Sequence, residues 1–468
     1  MSIFSYKPIK EFLVVFLYAN VLNVLLYFLS VYFNTQRPLF LIEYNILLLL
    51  LVFRLPFVLY VLSFLLLFAF DLLVYQSSLF YFTPIEALQN LRYLKFHHSF
   101  GLIIISALLV AAFLGAMLYV VYKQYICKVS AMNFFVYCII ILALLTGSDV
   151  LNGTNTNMLN DKKFSRINIC GSSVMFIYNL EKMYMVSDEK PKTFFQQGSA
   201  AQNFFVGTGV KADSSNKELI IIVESWGLLK QFPYVNFFKK YDSALTSNYK
   251  IHFDSTEFNG STTNAELREF LNQLGAYNYY LNKHSCYADS SLFDKKAKQG
   301  YLTIGVHSFS KYMFKRNVWW KNIGIQNSYF KEELQRKGGI TETDKDGAFS
   351  GVYDERAFDF LNKESAKYSK VFAYLLTVNT HLPYFRKDSL LQNTNTAFVK
   401  SVLEYNAIVR PQLIRVFNEV DYFITKIAKE KFWDKVLIVG DHAPPYISEQ
   451  NRTFFNQQYV PYIQLSKK

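Results

Sequence analysis

The chain has 468 residues, 51% of them hydrophobic and 18% aromatic, with a formal net charge of +13. That length allows more than one domain. Long uncharged apolar stretches crowd the first 150 residues, which excludes an ordinary soluble protein. Eight basic and five acidic residues lie in 1–150, against 41 and 31 in the remainder, so most of the positive charge sits on the polar part. Such a domain is either drawn to anionic headgroups or simply kept soluble by its charge.

Five membrane spans are predicted, at about residues 11–33, 38–53, 57–75, 101–122 and 131–145. Each approaches the roughly 20 residues a bilayer needs. The second is the shortest, and one bent hairpin over 38–75 is an alternative. The first is too long for a cleavable signal and lacks a small-residue cleavage site. Lys7, Lys10, Arg54, Lys123 and Lys128 fall on one side, the basic bias of cytoplasmic loops. Arg92 and Lys95 fall on the other. An odd number of spans places the C-terminal part outside the cytoplasm. Cys170 and Cys286 lie in that exported part, where a disulfide is permitted; two free thiols are the alternative. No metal-type cysteine pair is present.

A polar linker is expected over 151–216, with a helix near 174–185, and a compact domain over 217–468. Four short apolar runs in it end on chemistry-bearing residues. Residues 218–223 run into Glu224, 301–306 into His307, 371–380 into His381, and 435–440 into Asp441-His442. Their length and β-branched content predict buried strands. In an open parallel α/β sheet the site lies beyond the carboxyl ends of the strands. Oxygen and imidazole donors gathered there suit a divalent metal such as zinc or manganese.

The stretch Asn259-Gly-Ser-Thr-Thr-Asn-Ala-Glu266 precedes a helical pattern ending at Gly275. Thr263 and Glu266 fit a capping box. Thr262 is left at the helix mouth, where free amides and the dipole favour an anion. Beside a metal its hydroxyl could act as a nucleophile. His97, His98, His252 and His284 lack partner motifs and read as structural or interfacial. Trp319 and Trp320 read as packing residues, and 397–431 as a scaffold helix. No glycine-rich nucleotide loop is present, and nucleic acid is not an expected partner.

Taken in order, Glu224-Ser-Trp-Gly, the Gly-x-Thr-x-x-Ala-Glu turn, Thr380-His-x-Pro-Tyr and Gly440-Asp-His resemble the alkaline phosphatase/sulfatase-like superfamily. Within it the chain is similar to the lipoteichoic acid synthase and phosphoglycerol transferase branch. The resemblance implies a multi-pass α-helical membrane domain and a bacterial inner-membrane location. A periplasmic or extracellular α/β sulfatase-like domain with a mostly parallel sheet would follow. It implies that Glu224, Thr262, Asp441 and His442 hold one divalent metal, manganese or zinc, with magnesium a third candidate. Thr262 and His381 would be catalytic, and Arg316, His307 and His381 would bind substrate. The implied partners are a membrane phospholipid donor and a glycan or lipid acceptor. Phe314 and Asn317 depart from the family's Trp and Asp, which touches headgroup recognition. Lipoteichoic acid synthases continue further after the Asp-His pair, so a single decoration is as much expected as polymerisation. A phosphoethanolamine transferase, a sulfatase-like hydrolase and a non-catalytic lipid sensor are the alternatives. No Cys/Ser-x-Pro-x-Arg sulfatase motif occurs.

Overall fold

The computed structural model describes residues 40–80, 115–123, 170–174, 192–193, 198–206, 216–231, 245, 247–258, 262–274, 280–281, 291–344, 349–382, 405–446 and 449–468, with scattered positions within 20–28 and elsewhere within 112–147. The chain packs as two units, Met1–Leu91 with Phe96–Met183, and Arg92–Lys95 with Tyr184–Lys468.

In the first unit, α1 (Ile42–Val52) and α2 (Phe57–Phe80) are joined through Arg54, at φ 54°, and Pro56. Pro56 lacks an amide donor and ends α1. At 1.5 Å per residue the 11-residue α1 is about 16 Å long, short of a bilayer crossing. The second predicted span is therefore a short helix. Phe57–Val74, with mean hydropathy 2.6, is the one helix among the described residues long and apolar enough to cross a membrane. Most of the first, fourth and fifth predicted spans lies outside the described residues, as do Cys286 and the helix expected near 174–185. Asp71 in α2 is buried and accepts from Tyr44 Oη at 2.9 Å and Ser173 Oγ at 3.2 Å. A carboxylate among apolar helices requires such partners. Phe40–Leu41 pairs in parallel with Cys170–Gly171.

The second unit is built on a seven-stranded sheet. Its strands are β1 (Lys217–Val223), β2 (Tyr249–Glu257), β3 (Leu302–His307), β4 (Asn327–Tyr329), β5 (Val371–Leu376), β6 (Lys435–Gly440) and β7 (Tyr459–Lys467). Their order is β2-β7-β6-β1-β5-β3-β4. Pairs from β6 to β4 are parallel, and β7 is antiparallel to both neighbours. The predicted mostly parallel sheet is present.

The central strands are apolar throughout because both faces are covered. Leu219, Ile221 and Val223 meet Phe358 and Leu361 of α8 (Asp354–Ser365) and Val420 and Phe423 of α9 (Val409–Glu430). Ile220 and Ile222, one step out of phase, face the opposite layer. There they join Phe205 of α3 (Ala200–Val206), Leu267 and Phe270 of α4 (Thr262–Leu271), Phe293 of α5 (Leu292–Lys298), and Trp319 and Trp320 of α6 (Arg316–Asn322), while Leu334 of α7 (Lys331–Gly338) belongs to the first layer. Both tryptophans are fully buried, as their packing role requires. The predicted scaffold helix is α9, starting later than the apolar pattern does.

Register sets the site. Gly440 pairs with Val223, Ile222 with Leu376, and Leu376 with His307. The carboxyl ends of β6, β1, β5 and β3 are therefore level, and Asp441, Glu224, Thr377 and His307 share one edge.

Candidate metal centre

Glu224 follows the last residue of β1 and is 4% exposed. Its backbone is held on both sides: its N–H donates to Thr377 Oγ1 at 3.0 Å, and its carbonyl accepts from Thr380 Oγ1. Ser225, at φ 54°, takes the left-handed conformation, costly for a residue with a Cβ. Three contacts hold it there. Its N–H donates to Asp441 Oδ1 at 2.7 Å, its Oγ to Glu224 Oε1 at 3.0 Å, and its carbonyl accepts from Gln412 Nε2 at 3.0 Å. The strained serine thus ties the two carboxylates together. The turn opposite is equally tight: a Cβ on Gly440 would stand 2.1 Å from Trp226 O, so only glycine fits.

Ligand-type atoms of Glu224, Asp441 and His442 all lie within 4.8 Å of one another. His442 Nε2 is 3.3 Å from Asp441 Oδ2 and 3.5 Å from Glu224 Oε1. Asp441 Oδ1 accepts from Ser225 N and, at 2.6 Å, from His442 N. Its Oδ2 is buried and accepts no hydrogen bond among the described residues. Thr262, the first residue of α4, donates from Oγ1 to Glu224 Oε2 at 3.0 Å. Two carboxylates, an imidazole and a hydroxyl on one small volume are a donor set that fits a divalent cation. Oδ2, with His442 Nε2 beside it but no hydrogen bond among the described residues, fits that reading, since a buried carboxylate oxygen left without one is costly.

The histidine tautomers agree. His442 Nδ1 contacts Ala443 O at 2.9 Å, and His381 Nδ1 contacts Leu382 O. A carbonyl can only accept, so Nδ1 carries a proton, which leaves Nε2 of each ring as the nitrogen that could meet a cation.

Electrostatics follow from crowding. Burial and the neighbouring Glu224 carboxylate push Asp441 up to about 7. Burial also works against the Glu224 carboxylate, but His381, His442 and the hydroxyls of Ser225 and Thr262 hold it below the usual range. Burial lowers His381 against the pull of Glu224. His442 is raised, because Asp441 and Glu224 outweigh its burial.

Arg316 and His307 belong to an adjacent polar core rather than to this cluster. Arg316 is 1% exposed and clasps Glu266 Oε2 through Nε at 3.0 Å and Nη2 at 2.8 Å. Trp320 Nε1 and Tyr374 Oη also donate to Glu266 Oε1, at 2.9 and 3.1 Å. Two sequence expectations change here. Glu266 makes no capping box, because α4 already begins at Thr262 and the carboxylate turns inward to a buried cation. The Nε–Nη2 edge of Arg316, expected to clamp phosphate, is occupied by Glu266. Two consecutive left-handed residues, Phe314 (φ 55°) and Lys315 (φ 52°), bend the chain into this geometry. Trp319 Nε1 donating to Phe314 O at 3.1 Å and the guanidinium lying 5.0 Å from the Phe314 ring hold the bend. His307 Nδ1 contacts Leu376 O at 3.1 Å, and its Nε2 has no partner among the described residues. Burial and Arg316 keep this imidazole neutral, well below its ordinary range.

Sequence reading missed Ser225, Thr377, Thr380 and Gln412. Ser225 stood inside the quoted Glu-Ser-Trp-Gly, and Thr380 one residue before His381. Gln412 lies far away in sequence and carried no signal.

No family model matches the chain, and no curated protein matches its sequence. Solved structures do. A lipoteichoic acid synthase LtaP from Listeria monocytogenes is similar at 16% identity and TM-score 0.37, over 62% of this chain and 71% of that one. The phosphoethanolamine transferase EptA from Neisseria meningitidis is similar at 11% identity and TM-score 0.37, over 82% and 66%. A protein in the alkaline phosphatase superfamily from Vibrio parahaemolyticus is similar at 14% identity and TM-score 0.38, over 55% and 61%. The functional reading rests on the side chains of this chain.

Proposed function

We propose that this protein is a metal-dependent transferase that moves a phospho-headgroup from a membrane phospholipid to an extracytoplasmic glycan or lipid acceptor. The observation that carries the reading is the Thr262 hydroxyl on Glu224, at the edge of the Glu224–Asp441–His442 cluster. Glu224, Asp441, His442 and Thr262 would hold the cation. Bound there, a manganese or zinc ion lowers the pKa of a neighbouring hydroxyl and offsets charge on phosphoryl oxygens.

The chain's own residues then have defined tasks. Thr262 Oγ1 attacks the phosphorus of a donor such as phosphatidylglycerol or phosphatidylethanolamine. The Thr262 O–P bond forms as the bond to diacylglycerol breaks, and the threonine proton ends on the diacylglycerol oxygen. In the second displacement His381 Nε2, a bare lone pair, takes the proton of the acceptor hydroxyl. The acceptor oxygen bonds phosphorus as the Thr262 O–P bond breaks, and the proton passes from His381 to the leaving Thr262 oxygen. Arg316 Nη1, outside the Glu266 pair, and His307 Nε2 are the proposed headgroup contacts. Residues 1–150 serve as a multi-pass anchor and 151–216 as a linker, with 217–468 outside the cytoplasm.

Two experiments test this. The purified chain with metal and headgroup-labelled vesicles is expected to release diacylglycerol; no release with either donor contradicts the reading. A cysteine replacing the exposed Tyr368 is expected to react with an impermeant thiol reagent in intact cells. Protection until lysis contradicts the orientation.

A further inference from the structure

α4 carries more than Thr262. Arg268 lies on the same helix and is 1% exposed. Its Nε pairs with Glu269 Oε1 at 2.6 Å. Glu269 is itself fixed, since its Oε2 accepts from Ala201 N at 2.7 Å and Ser199 Oγ at 3.2 Å. The orientation of the guanidinium is therefore set from behind.

Its other two nitrogens reach backbone carbonyls around the candidate metal centre. Nη2 donates to Gly440 O at 2.9 Å. Nη1 donates to Glu257 O at 3.2 Å and Asp441 O at 3.4 Å. Gly440 and Asp441 form the turn that presents the carboxylate and imidazole of the cluster. Glu257 is the last residue of β2, just before the segment that leads into Thr262. A planar fork with five donors can serve three carbonyls at once, which a compact ammonium cannot. The Gly440 and Asp441 carbonyls lie where β6 ends and their bonds to Arg268 are buried, where an acceptor needs a partner.

We propose that Arg268 is a positioning residue that fixes the Thr262 helix against the Asp441–His442 turn. The proposal rests on the transferase reading of those residues. Among the described residues Arg268 hydrogen-bonds to neither Thr262 nor the ligand-type side chains; apart from its charge, which disfavours a protonated His442, it acts through the backbone of Gly440, Asp441 and Glu257. An ion pair that served only helix stability would be complete with Glu269. Here two of three guanidinium nitrogens are directed at the turn instead. Gly440 packs so closely on Trp226 that a Cβ there would stand 2.1 Å from Trp226 O, so the turn that Arg268 braces is also braced from the Trp226 side.

The test uses the purified full-length chain, with manganese and zinc each titrated calorimetrically and kcat and KM measured for headgroup release. The variants are Arg268→Lys and the double variant Arg268→Met with Glu269→Gln, which leaves no buried charge unpaired. In the double variant metal affinity is expected to fall roughly 10- to 100-fold, the range found when partners of metal ligands are removed. kcat falls with it, while KM for the donor stays unchanged. Arg268→Lys is expected to show a smaller loss of the same two quantities. Wild-type affinity and kcat in a folded double variant, with only Tm lowered, would overturn the proposal and leave an ordinary ion pair. If the double variant does not fold, Arg268→Lys decides on the same readouts, and wild-type values there overturn it too. A wild-type chain that binds neither ion contradicts the transferase reading itself, and the inference falls with it.

Discussion

Thr262 Oγ1 donates to Glu224 Oε2 at 3.0 Å, joining the first residue of α4 to the residue that follows β1. The contact aims a helix-mouth hydroxyl at a carboxylate whose other oxygen is held by Ser225. Thr262→Ala is expected to abolish headgroup transfer with little change in Tm, and Thr262→Ser to keep much of it. Thr263→Ala should remain active. Steady-state kinetics of the three variants check this; an inactive, folded Thr263→Ala beside an active Thr262→Ala would shift the site by one residue.

Metal should stabilise the chain through Asp441 and Glu224. An ion that binds only the folded state adds about 2.7 kcal/mol at 100 times its Kd. Tm of the wild-type protein should therefore rise with manganese or zinc and fall back with a chelator. Asp441→Asn and Glu224→Gln should lose most of that response and most of the bound metal. Metal content by elemental analysis, equal to wild type in both variants, would make these carboxylates structural.

Glu266 is a second kind of carboxylate. Its hydrogen-bonding partners Arg316, Trp320 and Tyr374 are internal, and burial still pushes it above the usual range despite Arg316. Removing one member of such a buried pair costs about 3–5 kcal/mol because the other charge is stranded. Glu266→Ala should show that loss in denaturant unfolding. The double variant Glu266→Leu with Arg316→Met should recover much of it. A double variant as unstable as Glu266→Ala would show that the stranded Arg316 is not the cause.

The parallel sheet and the edge of the site were legible because strand length, β-branched runs and polar ends coincide at 218–224, 301–307, 371–381 and 435–442. The partnering of individual side chains was not. Glu266 satisfies the spacing of a capping box, yet the cation that claims it lies 50 residues away on α6. Local propensity cannot reveal a long-range counter-ion. Likewise, nothing local marks Ser225 as a bridge, since its role depends on Asp441 being brought beside it by strand pairing. Within 38–75 the break at Arg54 and Pro56 was legible, but not the late start of α1 at Ile42, because Phe40–Leu41 pairs with a segment far away in sequence.

Asp354, at the start of α8, predicts a pH dependence unrelated to metal. Burial pushes its carboxyl up from 3.8 to about 7, with Asp344 adding to the shift. The hydrogen bonds from Val378 N at 2.9 Å and Asn379 N at 2.7 Å pull the other way. The folded state therefore binds more protons than the unfolded state between those values. Stability from this group is complete below the unfolded pKa and is lost as pH rises through the folded one. Asp354→Asn should weaken the fall in Tm over that window, and an unchanged slope would contradict it. Glu419, also raised by burial and by Asp354, retains part of the slope in the variant.

The central claim is covalent transfer through Thr262, and intact-protein and peptide mass spectrometry address it directly. The purified chain is incubated with manganese or zinc and phospholipid vesicles without acceptor, then quenched in acid. The account predicts a headgroup-phosphate adduct on the peptide containing Thr262, absent from Thr262→Ala and discharged when acceptor is added. Diacylglycerol release with an unmodified Thr262 peptide, or with the adduct on another residue, would contradict it.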